Sequence, residues 1–168
     1  MITFRNIIDN FSTIAYKHIN INSFHSGFLD EVDIDKLNAK DYKILYVEPN
    51  NSIINTGVLT YTFNVYILDQ INDSVGKQNG QVTQTVENRQ KFGRIDAFSE
   101  NLQILQDVIN EFKQNLSSIS FIDNEIILNT PITAEPFNAR FNNLLTGWTA
   151  TLELEVNNTN NLCISPIY

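Results

Sequence analysis

The sequence predicts an α+β protein with a largely antiparallel β-sheet and two amphipathic helices packed on it. Apolar and polar residues alternate from Leu59 to Ile67 and again from Trp148 to Val156, which is the pattern of strands with one buried face. Apolar residues recur at spacings of three and four from Phe4 to His18 and from Ile95 to Leu116, which is typical of helices. A single sheet covered on one face by two helices accounts for both patterns.

The first half of the chain is predicted to contain one helix and three strands. The helix occupies residues 3–18, and an irregular acidic stretch follows it up to Asp41. A strand is expected at residues 43–48, ended by Pro49, because proline cannot donate to a ladder. The next three residues, 49–51, predict a turn. A short strand at 52–54 then pairs with the strand from Leu59 through a hairpin at 55–57.

The second half is predicted to contain a long polar loop, a helix and four strands. Residues 72–93 have no periodicity and many Gln and Asn residues, and we interpret them as a protruding loop or arm. A helix follows at residues 96–116. The remaining strands are expected at 119–121, 125–128, 132–137 and 148–156. Residues 1–168 are interpreted as one domain, with residues 157–168 as a C-terminal tail.

The composition indicates a folded protein and excludes several functional classes. The chain has 168 residues, of which 42% are hydrophobic and 18% charged, which favours a packed core over disorder. Its formal net charge of −8 argues against binding to nucleic-acid phosphates or to an anionic membrane surface. Cys163 is the only cysteine, so an internal disulfide is impossible. No segment has the length and hydrophobicity of a signal peptide or a membrane span, and we expect synthesis in the cytosol.

The residue patterns of enzyme and metal sites are nearly absent. The two histidines are His18, which closes the apolar stripe of the first helix and favours a packing role, and His25, which is expected in a loop. The acidic run from Asp30 to Asp35 lacks the glycine of a calcium loop, so a solvated loop is favoured. The sequence contains no nucleophile elbow, zinc-protease motif or phosphate-binding loop. We therefore expect no enzymatic activity, no metal and no cofactor.

An ordered series of segments resembles small virion proteins of tailed bacteriophages that infect Bacteroidetes, including crAss-like phages. The segments are Asp41–Pro49, Leu59–Ile71, Glu100–Ile109, Pro136–Phe141 and Gly147–Ala150. These proteins are similar to tail terminator and neck (head–tail connector) ring proteins, which have a sheet flanked by helices. The resemblance covers about four-fifths of the chain. The loop at residues 72–93 is longer than the corresponding segment expected in the family.

The resemblance implies a structural virion protein of the phage neck or tail, made in the host bacterial cytoplasm. The expected partners are further copies of the chain in a hexameric or dodecameric ring, and neighbouring portal, connector or tail proteins. DNA would pass through the ring without specific binding, because an acidic lumen repels phosphates. Residues of the arm, one strand and the tail are the expected interface: Val82, Val86, Phe92, Arg94, Glu153, Glu155, Leu162, Ile164, Ile167 and Tyr168.

The residues alone leave the role of the polar strand face open, and they also leave two other kinds of protein possible, a binding protein and a hydrolase. The polar strand face with Glu153 and Glu155 is either a solvated sheet surface or a surface that packs in a ring. A small non-enzymatic ligand- or peptide-binding protein of a mobile element would use the same face. A hydrolase would require a carboxylate pair held across the sheet. Neighbouring portal, capsid and tail genes would favour the ring, whereas neighbouring regulators would favour the binding protein.

Overall fold

The computed structural model of the chain describes residues 3–28, 41–70, 93–123, 126–140 and 145–157. These residues form one six-stranded sheet and two helices, so the predicted α+β class is confirmed. The elements in chain order are α1 (Phe4–Lys17), β1 (Ser23–Ser26), β2 (Ile44–Asn55), β3 (Val58–Gln70), α2 (Gly93–Asp123), β4 (Ile126–Leu128), β5 (Ala134–Arg140) and β6 (Leu145–Asn157).

The two segments with the clearest alternation, β3 and β6, form the centre of the sheet. They pair antiparallel over their whole length, from Val58 opposite Asn157 to Gln70 opposite Leu145. The strand order is β1-β2-β3-β6-β4, and β5 also pairs with β6. Only β1 pairs in parallel, with the first four residues of β2, among the strands described. The predicted largely antiparallel sheet is thus confirmed.

The main core lies between the two helices and one face of the sheet, which we call the inner face. The ring of Phe11 in α1 stacks on Phe112 in α2 with centroids 4.2 Å apart, and it meets Phe63 in β3 edge-on at 5.6 Å. All three rings are fully buried. Three elements that are distant in sequence therefore meet at one aromatic contact. All three rings belong to the apolar positions that the sequence pattern predicts to be buried.

Helix α1 begins and ends where its sequence provides backbone partners. The hydroxyl of Thr3 accepts a hydrogen bond from the Asn6 amide, and the Asn6 side chain accepts one from the Thr3 amide, which makes a capping box. The N–H of His18 donates to the carbonyl of Ile14 at 3.0 Å and closes the last turn. The predicted 3–18 helix and its apolar stripe are confirmed: Ile7, Phe11, Ile14 and Ala15 are buried.

Pro49 does not end its strand, contrary to the prediction. Strand β2 runs through it to Asn55, and the predicted turn at 49–51 is a bulge where the register with β3 shifts between Pro49 and Asn51. A bulge accommodates a residue that cannot donate to the ladder, so a proline in the edge portion of a strand does not stop the pairing. The hairpin predicted at 55–57 is confirmed, with Gly57 at a φ of 84°.

Three other predictions of secondary structure need correction. Residues 119–121 are not a strand, because α2 continues to Asp123, and a short apolar run does not distinguish strand from helix by periodicity. Strand β1 was predicted as irregular chain, since its four residues are too few for a visible alternation. The strand predicted at 132–137 lies later, at Ala134–Arg140. Helix α2 also begins earlier than predicted, at Gly93, so the polar loop is shorter by that residue.

Candidate functional site

The sheet face turned away from the helices, here called the outer face, carries the polar residues that the sequence singled out. In β3 this face presents Thr60, Thr62, Asn64 and Tyr66, opposite Glu155, Glu153, Thr151 and Thr149 of β6. The hydroxyl of Thr151 donates to the Asn64 side chain at 2.9 Å. Cross-strand pairing therefore produces a surface of hydroxyls, amides and carboxylates next to the hairpin.

The other end of the outer face is apolar and buried, which the sequence did not indicate. A second cluster there consists of Tyr42, Ile44, Tyr46, Tyr66, Leu68, Phe137 and Leu145. Gly147 makes the packing possible, because a Cβ at this position would lie 3.1 Å from the Phe137 ring and 1.8 Å from the Ile67 carbonyl oxygen. The outer face is therefore solvated only in its polar half.

Tyr66 lies at the boundary between the two halves. Its hydroxyl donates to the Glu48 carboxylate at 2.7 Å. Burial and this acidic partner together raise the pKa of Tyr66 to about 12. The phenol therefore stays protonated at neutral pH and acts as a hydrogen-bond donor that orients Glu48.

A polar groove opens on the outer face where β5 and β6 meet. It has a volume of about 350 Å³ and is lined by Pro131, Thr133, Glu135, Thr149, Thr151 and Glu153. Two of these residues are carboxylates, and this lining includes no basic side chain. The register places Glu135 opposite Thr149 of β6. Glu153 is four residues further along β6, which is a backbone distance of about 13 Å from Thr149.

Glu153 and Glu155, two predicted interface residues, have a shared partner within the chain. The Asn129 side-chain amide donates to Glu155 at 3.1 Å and to Glu153 at 3.4 Å. The Asn129 backbone N–H also donates to the Glu153 carbonyl at 2.9 Å. These three hydrogen bonds fasten the end of β4 to β6. The two carboxylates therefore hold the residue that follows β4 against β6.

Both edges of the sheet present large apolar side chains to solvent. On β2, beyond the part paired with β1, Ile53 is 51% exposed and Ile54 is 77% exposed. On β4, at the opposite edge, Ile127 is 50% exposed. Exposed strand edges with apolar side chains are templates for pairing with another chain, and soluble proteins usually protect them.

Apart from Arg94, the remaining predicted interface residues lie outside the parts of the chain that the structure places. Arg94 belongs to the first turn of α2, so it is not part of the loop. The arm residues Val82, Val86 and Phe92 and the tail residues Leu162, Ile164, Ile167 and Tyr168 lie outside the described residues. The acidic run at residues 30–35 also lies outside them. The structure therefore brings only Glu153 and Glu155 of the predicted set together.

The two histidines occupy structural positions. His18 is only partly exposed at the end of α1, where its Nε2 lies 3.8 Å from an Asp107 oxygen and its Nδ1 accepts from the Asn20 amide at 3.2 Å. This position agrees with the predicted packing role. His25 was predicted in a loop but lies in β1 opposite Tyr46. Among the described residues, no group of three or more His, Cys, Asp or Glu side chains has an arrangement that could hold a metal ion.

No protein-family model matches the sequence, and no curated protein matches it at a significant level. In the described parts of the chain, neither helix combines the length and the apolar character needed to cross a bilayer.

Proposed function

We propose that this chain is the subunit of a ring in the neck or tail of a tailed bacteriophage, of the tail terminator or head–tail connector type. The observation that carries the proposal is the pair of exposed apolar edges, with Ile53 and Ile54 on one side of the sheet and Ile127 on the other. A ring requires a head-to-tail contact between two different surfaces of the same subunit. Opposite edges of one sheet provide two such surfaces.

The fold and the charge support the same proposal. The phage ring proteins that the sequence resembles have a sheet flanked by helices, and this chain has a sheet with two helices on its inner face. The polar half of the outer face carries Glu48, Glu153 and Glu155, and the whole chain has a net charge of −8. A ring with this face towards its lumen would repel DNA phosphates and allow the duplex to slide.

The partners follow from the proposed position in the virion. They are further copies of the chain in a hexameric or dodecameric ring, and portal, connector or tail proteins above and below it. The arm that precedes α2 and the tail that follows β6 would provide contacts beyond the sheet edges. The arm would reach a neighbouring subunit or ring through Val82, Val86 and Phe92. Virion assembly would need no cofactor.

The test is the state of association of the purified chain. Native mass spectrometry and negative-stain electron microscopy should show closed rings with six-fold or twelve-fold symmetry. A variant that lacks residues 81–92 but retains Gly93 and Arg94, and therefore all of α2, should form fewer rings. A chain that remains monomeric at every concentration, alone and with the portal and tail proteins of its own phage, would contradict the proposal.

A second candidate is a small non-enzymatic ligand- or peptide-binding protein. The polar groove of about 350 Å³ favours it, because a concave surface with threonine hydroxyls and two carboxylates fits a polar or cationic ligand. All of the lining residues belong to one chain, so a monomer has the complete groove. The same mass spectrometry separates the two candidates, since a binding protein of this kind would remain monomeric.

A further inference from the structure

The edge of β2 next to the hairpin is an accepting surface for a further strand. Strand β1 pairs with β2 only from Ile44 to Val47, and no described strand pairs with this edge from Pro49 to Asn55. Side chains 50–55 are exposed, including Ile53 and Ile54. An extended peptide that pairs with such an edge gains main-chain hydrogen bonds and covers the apolar side chains.

The segment after β6 has the length and composition to pair with this edge. At least eleven residues, 158–168, follow Asn157 and lie outside the described residues. Residues 158–161 are polar, and the next seven, 162–168, include three aliphatic residues, a tyrosine and Pro166, which a strand added at an edge accommodates where its missing N–H faces solvent. Seven residues equal the length of the open edge, 49–55. Fully extended, the eleven residues span up to about 36 Å.

Asn157 and the open part of the β2 edge lie towards opposite sides of the sheet. Asn157 pairs with Val58 at the hairpin end of the sheet, and the preceding residue, Val156, pairs with Ile126 of β4. The segment therefore emerges one strand away from the β4 edge. The open β2 edge lies on the far side of the sheet. A donor on one side and an acceptor on the other are the two surfaces of a head-to-tail contact.

We propose that residues 162–168 of one copy pair with β2 residues 49–55 of the next copy and so link successive subunits. This inference rests on the proposed ring and names the contact that closes it. Each copy would donate its tail at the β4 side and accept a tail at the β2 side. The contact would extend the sheet of every subunit by one strand from its neighbour.

Disulfide trapping tests the proposal on the full chain. Residue 165 is the middle of 162–168 and residue 52 is the middle of 49–55, so the two lie opposite each other whichever way the paired strands run. One protein carries Ser52→Cys together with Cys163→Ser, and the other carries Ser165→Cys together with Cys163→Ser, so each has one thiol. After mild oxidation of the mixture, a heterodisulfide between the two proteins is expected, and non-reducing electrophoresis with peptide mass mapping would detect it. Only an intermolecular contact can produce this species. A third protein, which carries Ser52→Cys, Ser165→Cys and Cys163→Ser, should form covalent ladders.

The matched control replaces Ser99 by cysteine in the same Cys163→Ser background. Ser99 is also exposed but lies next to Phe98, whose carbonyl binds Trp148, about 30 Å along β6 from Asn157. It should give no heterodisulfide with the protein that carries Ser165→Cys.

Two results would overturn the proposed contact. If the third protein oxidises to a monomer with an internal disulfide between positions 52 and 165, the chain's own tail fills the edge. If rings form but no disulfide joins position 52 to position 165 of another copy, the contact is wrong and the ring still stands. Absence of both the rings and the heterodisulfide, also when the portal and tail proteins are present, would refute the ring itself.

Discussion

At the scale of single residues, the stability of the protein depends most on the aromatic contact that joins α1, α2 and β3. Phe11, Phe63 and Phe112 are fully buried and contact one another. Each ring removes a large apolar area from water, and a truncation would leave a cavity between three elements.

The substitution Phe112→Ala should lower the free energy of unfolding by about 3–5 kcal/mol, because it removes a buried ring and leaves a cavity. Urea denaturation followed by circular dichroism measures the change. Tyr16→Ala on α1 is the control, since Tyr16 is 93% exposed and its loss should change the value by less than about 0.5 kcal/mol. Equal effects of the two substitutions would mean that the packing described for Phe112 is wrong.

Asp69 at the end of β3 is the described carboxylate that burial perturbs most clearly. Its carboxylate accepts from the Gln70 amide at 2.9 Å and from the buried Asn101 side chain at 3.5 Å. These hydrogen bonds and the charge of Lys43 favour the ionised form, but burial has the larger effect and raises the pKa of Asp69 above its ordinary value of 3.8. Lys43 itself forms an ion pair with Glu100.

Asp69 should therefore make the folded state less stable as the pH rises. Its folded-state pKa is raised, so the folded chain binds the proton more tightly than the unfolded chain from pH 3.8 upwards. The unfolding free energy must fall as pH increases through that window. Asp69→Asn removes the ionisation, so the stability that the variant gains relative to the natural protein should grow as the pH rises above 3.8.

Thermal unfolding at a series of pH values measures this difference. The control is Asp9→Asn, because Asp9 is exposed on α1 and lies 3.8 Å from Arg5. It removes the same charge from an exposed site, and its effect on unfolding is compared with that of Asp69→Asn at each pH. A difference between Asp69→Asn and the natural protein that does not change with pH would show that the carboxylate is ionised equally in both states.

At the scale of elements, the edges of the sheet differ in how they are protected. Strand β2 contains a bulge at Pro49 and several asparagines near its end, and β4 has only three residues. Short or bulged edges resist uncontrolled pairing. The exposed isoleucines remain on them nevertheless, which fits edges that pair with a defined partner.

The substitution Ile127→Lys should prevent association without unfolding the subunit. Ile127 is half exposed, so a lysine has room and the unfolding free energy should change by less than about 0.5 kcal/mol. A charge on an edge strand opposes pairing with another chain. Light scattering should therefore show a smaller particle than the natural protein forms. Asn110→Lys, on the exposed surface of α2, adds the same charge and should leave the particle size unchanged.

The elements also show where sequence patterns are reliable. Strands β3 and β6 and helix α1 were predicted closely, because each buries one face over many residues and the period is visible. The end of α2 and strand β1 were not predicted. Residues 119–121 give too short a run to separate strand from helix, and the four residues of β1 form a strand only because β2 lies beside them.

At the scale of the whole molecule, the charge and the sheet edges lead to one assembly model. In the proposed ring, successive subunits contact through opposite edges, and the polar half of the outer face points to the lumen. The helices on the inner face would then lie outside, where neck and tail proteins could contact them. In this model the helix-covered core stabilises the subunit and the two edges mediate its association, so substitutions should affect one property or the other.

The sequence by itself determined the class of the fold, the central strands, the inner core and the acidic character, because these follow from local periodicity and composition. It also indicated Glu153 and Glu155, since both alternate with core residues. Only the tertiary structure decided that Asn129 links these carboxylates, that Tyr46, Tyr66 and Phe137 bury half of the outer face, and that Pro49 lies within a strand. Each of these depends on strand register, which pairs residues distant in the chain and leaves no periodic trace in the sequence.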